Sequence, residues 1–195
     1  SVVPVTGLEP VLCKTHDVTI KNCTIRSNSS TGILLSVETT WGESTVPRNV
    51  TVIGCLFDDT GRNQGRETDT TYSCIAIQGL GANSTTIAVS DNTLPCSDIR
   101  IIGNKFINVN NRHAISVTAA KNILIQNNVF EARPEDNERT YGKAVYICGV
   151  MDIELSGNTY SSFARGDMER AISALNYQGL TGTDVEGKLP ENKEP

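Results

Sequence analysis

The chain has 195 residues, a net charge of −5 and two histidines, with 38% hydrophobic and only 5% aromatic residues. That length supports one domain with a continuous core, and so few aromatic residues leave most of the interior to aliphatic side chains. No basic cluster favours nucleic acid or an anionic membrane surface as a partner, and no apolar run approaches the roughly 20 residues of a membrane-spanning helix.

Residues 1–15 carry Val2, Val3, Val5, Val11 and Leu12 between Pro4, Gly7 and Pro10, enough for an incomplete strand unit. No signal-peptide pattern opens them, so the chain reads as mature, trimmed or a fragment. A repeated phrase then begins: His16-Asp17-Val18-Thr19-Ile20-Lys21-Asn22-Cys23-Thr24-Ile25. It returns from Arg48 to Phe57, from Ser97 to Phe106, from Lys121 to Phe130 and from Met151 to Tyr160, with starts 32, 49, 24 and 30 residues apart. Each copy holds an Asp or Asn, an apolar-x-apolar alternation, a turn pair and a large apolar residue. Period two predicts a strand. The pairs Asn22-Cys23, Gly54-Cys55, Gly103-Asn104, Asn127-Asn128 and Gly157-Asn158 predict a sharp bend, because Gly and Asn tolerate left-handed backbone angles. A second strand is expected after each copy, at Ile33–Val37, Ile75–Ile77, Ile115–Val117, Val145–Ile147 and Ile172–Leu175.

Polar insertions separate these units. Glu38 to Pro47 carries the only Trp, Trp41, with Glu38 and Glu43; Asp58 to Tyr72 carries Asp58, Asp59 and Arg62. Gln78 to Pro95 includes Ile87-Ala88-Val89, read as a small extra strand, and Glu131 to Tyr141 is charged. Arg165-Gly166-Asp167 matches an adhesion triplet, a lone match. Residues 177–195 are rich in Gly, Glu and Pro and read as a loosely held tail, giving a repeat domain over 1–176 and a tail over 177–195.

Repeats of roughly 20–50 residues with strand periodicity predict a stacked array. The fold class is all-β, a right-handed parallel β-helix of about five to six coils, with equivalent residues about 4.8 Å apart on successive coils. Over residues 16–176 the pattern resembles the β-helix repeats of pectate lyases, polygalacturonases and related carbohydrate enzymes. That resemblance implies an asparagine ladder at Asn104, Asn128 and Asn158, with Cys23 and Cys55 in the same slot. No amphipathic helix caps the first coil, so an upstream β-helix segment or another subunit is expected to cover it.

The six cysteines contain no CxxC pair, and no metal site or cofactor motif is legible. Cys23 and Cys55 fall within disulfide reach as stacked neighbours, but parallel side chains on adjacent strands are poorly aimed, and both are expected as free buried thiols. Asn22, Asn28, Asn49 and Asn83 begin Asn-x-Ser/Thr triplets, which such a Thr- and Asn-rich array also produces by chance.

By resemblance, the cleft lies over the second strands, floored by outward residues such as Leu34, Ala76, Ser116, Tyr146 and Ser173. That floor lacks the acidic and basic residues of the calcium-dependent lyases and the Asp pair and Gly-His-Gly of the polygalacturonases. Asp58 and Asp59 form the best acidic constellation, and inverting hydrolysis needs two carboxyl groups about 6.5–9.5 Å apart. Asp58 with Glu38 or Glu43 across the floor is the candidate pair; a turn at Asp58-Asp59-Thr60-Gly61 is the competing reading. Trp41, Arg62, His113 and Tyr146 are candidate substrate contacts, with a structural hydrogen bond the alternative for His113. The run from Asn22 to Leu35 is also similar to a segment of β-helix α-1,3-galactosidases. The expected function is a carbohydrate-active, extracellular domain, the C-terminal part of a glycoside hydrolase acting on a glycan or polysaccharide. Its rival is a non-catalytic glycan-binding, adhesion or structural solenoid.

Overall fold

The computed structural model describes residues 11–12, 16–37, 46–61, 73–79, 89, 94–109, 113–132, 143–161 and 171–186. Strand is the dominant regular structure among the described residues. β1 (Val11–Leu12), β2 (His16–Lys21), β4 (Ile33–Ser36), β5 (Arg48–Ile53), β7 (Ile75–Gln78), β8 (Cys96–Ile102), β10 (Ile115–Gln126), β12 (Val145–Ser156) and β14 (Ile172–Thr181) form one sheet. β3 (Thr24–Asn28), β6 (Leu56–Thr60), β9 (Lys105–Val109), β11 (Val129–Ala132) and β13 (Thr159–Ser161) form a second. The strand pairs are parallel throughout.

The repeated phrase accounts for the register. Val18, Val50, Ile99, Ile123 and Ile153 are successive Cα partners, and Leu180 extends the row. Two residues on, Ile20, Val52, Ile101, Ile125 and Leu155 make a second row. The members from β5 to β12 are at most 2% exposed, and each such aliphatic stabilises the fold by about 1.5–3 kcal/mol relative to an exposed position. A one-residue slip would turn both rows out to solvent, so the alternation fixes the register.

The bend follows as expected. Asn22, Gly54, Gly103, Asn127 and Gly157 hold φ between 54° and 66°, the left-handed region that Gly and Asn tolerate. Beyond it Ile25, Phe57, Phe106, Phe130 and Tyr160 turn inward, and the aromatic rings stack at centroid separations of 4.8, 4.9 and 5.3 Å. Both sheets pack on one hydrophobic cluster.

A second left-handed row was not foreseen. Asp17, Asn49, Asp98, Asn122, Asp152 and Gly179 all have positive φ where each phrase begins. Carboxylates and amides alternate along it, and Asn122 Nδ2 donates to Asp98 Oδ1 at 3.1 Å, as Asn49 does to Asp17. An unbroken row of Asp would repel itself. The intervening amides turn neighbours into donors and acceptors.

Three expectations change. The second strand of one unit and the first strand of the next, read as separate, merge into the twelve-residue β10 and β12, which bend at Ala119 and Gly149 with φ of 50° and 65°. Asp58 and Asp59, assigned to an insertion, belong to β6, which runs on to Thr60. β14 reaches Thr181, and Asp184 and Val185 are buried, so a boundary at residue 176 cuts through a paired strand. Of the extra strand expected at 87–89 only Val89 is described, and Arg165-Gly166-Asp167 lies outside the described residues.

Candidate functional site

The structure separates the candidate residues into two neighbourhoods. Asp58 lies on β6 between Arg26 of β3 and Ile107 of β9. Its Oδ2 meets Arg26 Nε at 3.4 Å, and its Oδ1 accepts from Asn108 Nδ2 at 2.7 Å. A carboxylate held on both oxygens links three strands. Asp59 has φ 54° and joins Ser27 and Asn108, at 50° and 53°, in a third left-handed row. The backbone then turns Thr60 inward to donate to the Ile25 carbonyl at 3.3 Å. Asp59 lies near the start of β7, where its charge acts on the Cys74 thiol. Glu38, Glu43, Trp41 and Arg62 lie outside the described residues.

His113 and Tyr146 come together on the other sheet. Ser116, Tyr146 and Ser173 are Cα partners on β10, β12 and β14. His113, three residues before Ser116, stacks on the Tyr146 ring at 4.7 Å with an 18° interplanar angle. The Lys143 backbone N–H donates to His113 Nδ1 at 3.3 Å, which in the neutral ring puts the proton on Nε2. The hydrogen bond expected for His113 is there, and it orients a stacked pair. His113 is 3% exposed, whereas Tyr146 is half-buried, so the tyrosine meets solvent and the histidine backs it.

Around this pair is a belt of hydroxyl and amide groups. Ser73 Oγ donates to Ser116 Oγ at 2.9 Å, and Thr118 Oγ1 donates to the Ile77 carbonyl at 3.2 Å. Gln78 is buried, and its Nε2 is the one buried side-chain N or O without a hydrogen-bond partner among the described residues. The sequence places Ser116 on the floor but gives no sign of its Ser73 contact, which depends on the register between units 43 residues apart.

The open floor expected over the second strands is corrected in its middle. Ala76, Ser116, Gln78, Thr118 and Cys148 are at most 6% exposed. Beside them Leu94 and Ala119 form a small apolar cluster with Val89 and Met151, outside the main core. The accessible part of the face is at Leu34, Ser36, Tyr146 and Ser173, all half-buried. No group of three or more His, Cys, Asp or Glu able to hold a metal ion occurs among the described residues. No described helix is long and apolar enough to cross a membrane.

No family model matches the chain, and no curated protein matches it. Among solved structures, the chain is similar to one described as a "putative glycosyl hydrolase" from Parabacteroides merdae. The likeness covers 95% of this chain and 83% of that one, at 12% identity and a TM-score of 0.45. At that similarity the two need share neither a site nor a substrate.

Proposed function

We propose that the two parallel sheets are the walls of a right-handed β-helix of the pectate lyase-like kind, and that the chain is a glycan-engaging domain. The observation that carries this is the Tyr146 platform. Tyr146 is half-buried, one face of its ring is held by the buried His113, and the half-buried Ser173 flanks it on the neighbouring strand. A sugar presents an apolar C–H face and a rim of hydroxyls. A fixed aromatic ring with the accessible hydroxyl of Ser173 beside it matches both, in keeping with sites that mix aromatic lining with a few polar groups. An extracellular location, a polysaccharide ligand and an upstream segment or second subunit over the first strand belong to the same proposal.

A glycoside hydrolase is the catalytic form of this reading, with Asp58 and Asp59 working with Glu38 or Glu43. The nearness of Asp59 to the start of β7 favours it; the engagement of Asp58 by Arg26 and Asn108 favours binding alone. A glycan array followed by titration of the best ligand tests both. Binding without turnover is expected, weakened about tenfold by Tyr146→Ala. Ligand binding that Tyr146→Ala leaves unchanged would overturn the platform. Turnover abolished by Asp58→Ala/Asp59→Ala would establish the hydrolase instead.

A further inference from the structure

Two thiols occupy the slot that asparagine fills in the later strands. Lys21 and Ile53 are Cα partners before the bend, and Thr24 and Leu56 are partners after it. Cys23 and Cys55 therefore face each other across neighbouring parallel strands, about 4.8 Å apart, inside the roughly 4.4–6.8 Å that a disulfide spans between Cα atoms. The Cys23 N–H donates to Cys55 Sγ at 3.4 Å. Each Sγ also lies 3.5 Å from the carbonyl two residues before it.

The expectation of two buried thiols is corrected on one side. Cys55 is 2% exposed, but Cys23 is exposed to solvent. β2 and β3 each pair on one side only among the described residues, so the Cys23 side chain can rotate toward Cys55 without displacing a strand beyond it. That freedom answers the objection that parallel side chains in a stack are poorly aimed.

We propose that Cys23 and Cys55 are a peroxide-responsive thiol pair that closes to a disulfide across the first two repeat units. The Cys23 thiolate attacks one oxygen of hydrogen peroxide, the O–O bond breaks, and the departing hydroxide takes a proton and leaves as water. Cys23 becomes a sulfenic acid. The Cys55 thiol gives up its proton, its sulfur attacks the Cys23 sulfur, and the S–O bond breaks to release a second water. Two thiols and one peroxide give one disulfide and two waters. Exposure assigns Cys23 the first step, and burial, which raises the Cys55 thiol above its ordinary value, assigns Cys55 the second. Cys96, Cys74 and Cys148 do not compete: all are buried, and burial pushes the Cys96 thiol up to about 12.

The test is peptide mapping of the full chain after graded peroxide, with free thiols alkylated after unfolding. The expected result is a linked Cys23–Cys55 peptide, reversed by dithiothreitol, with Cys74, Cys96 and Cys148 still alkylated. In Cys55→Ser, a dimedone adduct should appear on Cys23 instead. If that variant does not fold, Cys23→Ser, altered only at an exposed position, should leave Cys55 a free thiol at the same dose. A Cys13–Cys23 peptide, a dimer linked through Cys23, or Cys23 oxidised singly while Cys55 stays alkylated would overturn the proposal.

Discussion

Asn128 carries more of the bend than its size suggests. Its Nδ2 donates to the Ile101 carbonyl and to Asn158 Oδ1, both at 2.9 Å, and its Oδ1 accepts from the backbone N and the Nδ2 of Asn104. The same links run from Cys55, whose N–H donates to Asn104 Oδ1, through Asn158 to Asp184, which accepts from the Asn158 backbone and side chain. An amide can donate twice and accept as well, as Asn128 does here, whereas a hydroxyl has a single O–H to give. Asn128→Ala would strand several buried groups at once and should cost about 3 kcal/mol. Asn128→Asp keeps the shape but aims a buried charge at two acceptors, so it should be at least as damaging at pH 7 and partly recover in acid. Urea unfolding at pH 7 and pH 4 checks both; a loss below about 1 kcal/mol for Asn128→Ala would mean that water replaces the ladder. The three asparagines were legible because they stand at one offset from the alternating aliphatics. Asp184 was not, because Gly179-Leu180-Thr181-Gly182-Thr183-Asp184 has one aliphatic where the other copies have two or three, and its glycines read as a tail.

The aromatic column is the corresponding feature among the elements. Sequence spacing put Phe57, Phe106, Phe130 and Tyr160 at one position of successive strands, and they stack there. What spacing could not supply was the partner of the last hydroxyl. Tyr160 donates to Asp184 Oδ2 at 2.8 Å, so the column of rings and the row of amides end on the same carboxylate. Burial first, then the hydrogen bond and charge of Asp184, raise the Tyr160 hydroxyl above its ordinary pKa of 10.0. The folded state therefore keeps a proton that the unfolded chain gives up. The stabilisation is complete below the unfolded pKa and declines as the pH rises beyond it toward the folded value. Unfolding midpoints from pH 9 upward should fall faster for the wild type than for Tyr160→Phe, which should itself lose about 1 kcal/mol at pH 7. Parallel pH profiles for the two would show that the hydroxyl contributes nothing to the alkaline loss.

At the scale of the molecule, strand order and register were readable from one repeated phrase, whereas the functional face was not. Periodicity reports which side of a strand faces the core, and it made Ile75, Ile115 and Val145 inward as found. It is silent on what lies against the opposite side, and so Ala76 and Ser116 were expected open and are buried. The His113–Tyr146 stack was hidden for a related reason: its members stand 33 positions apart and meet only once Ser116 and Tyr146 are known to be partners. The same register makes stability depend on position along the stack. Ile20 and Ile101 share a row through Val52, but Ile101 is 0% exposed between β5 and β10, while Ile20 is half-buried on β2, which among the described residues pairs with β5 alone. In a stack whose strands contact chiefly their neighbours, the outermost opens first. Ile101→Ala should cost about 3–4 kcal/mol and lower amide protection throughout β5, β8 and β10, whereas Ile20→Ala should cost about 1 kcal/mol with its effect confined to β2 and β3. Denaturant unfolding with native-state hydrogen exchange measures both. Equal costs, or protection on β2 matching that on β8, would mean that β2 is covered as fully as an interior strand.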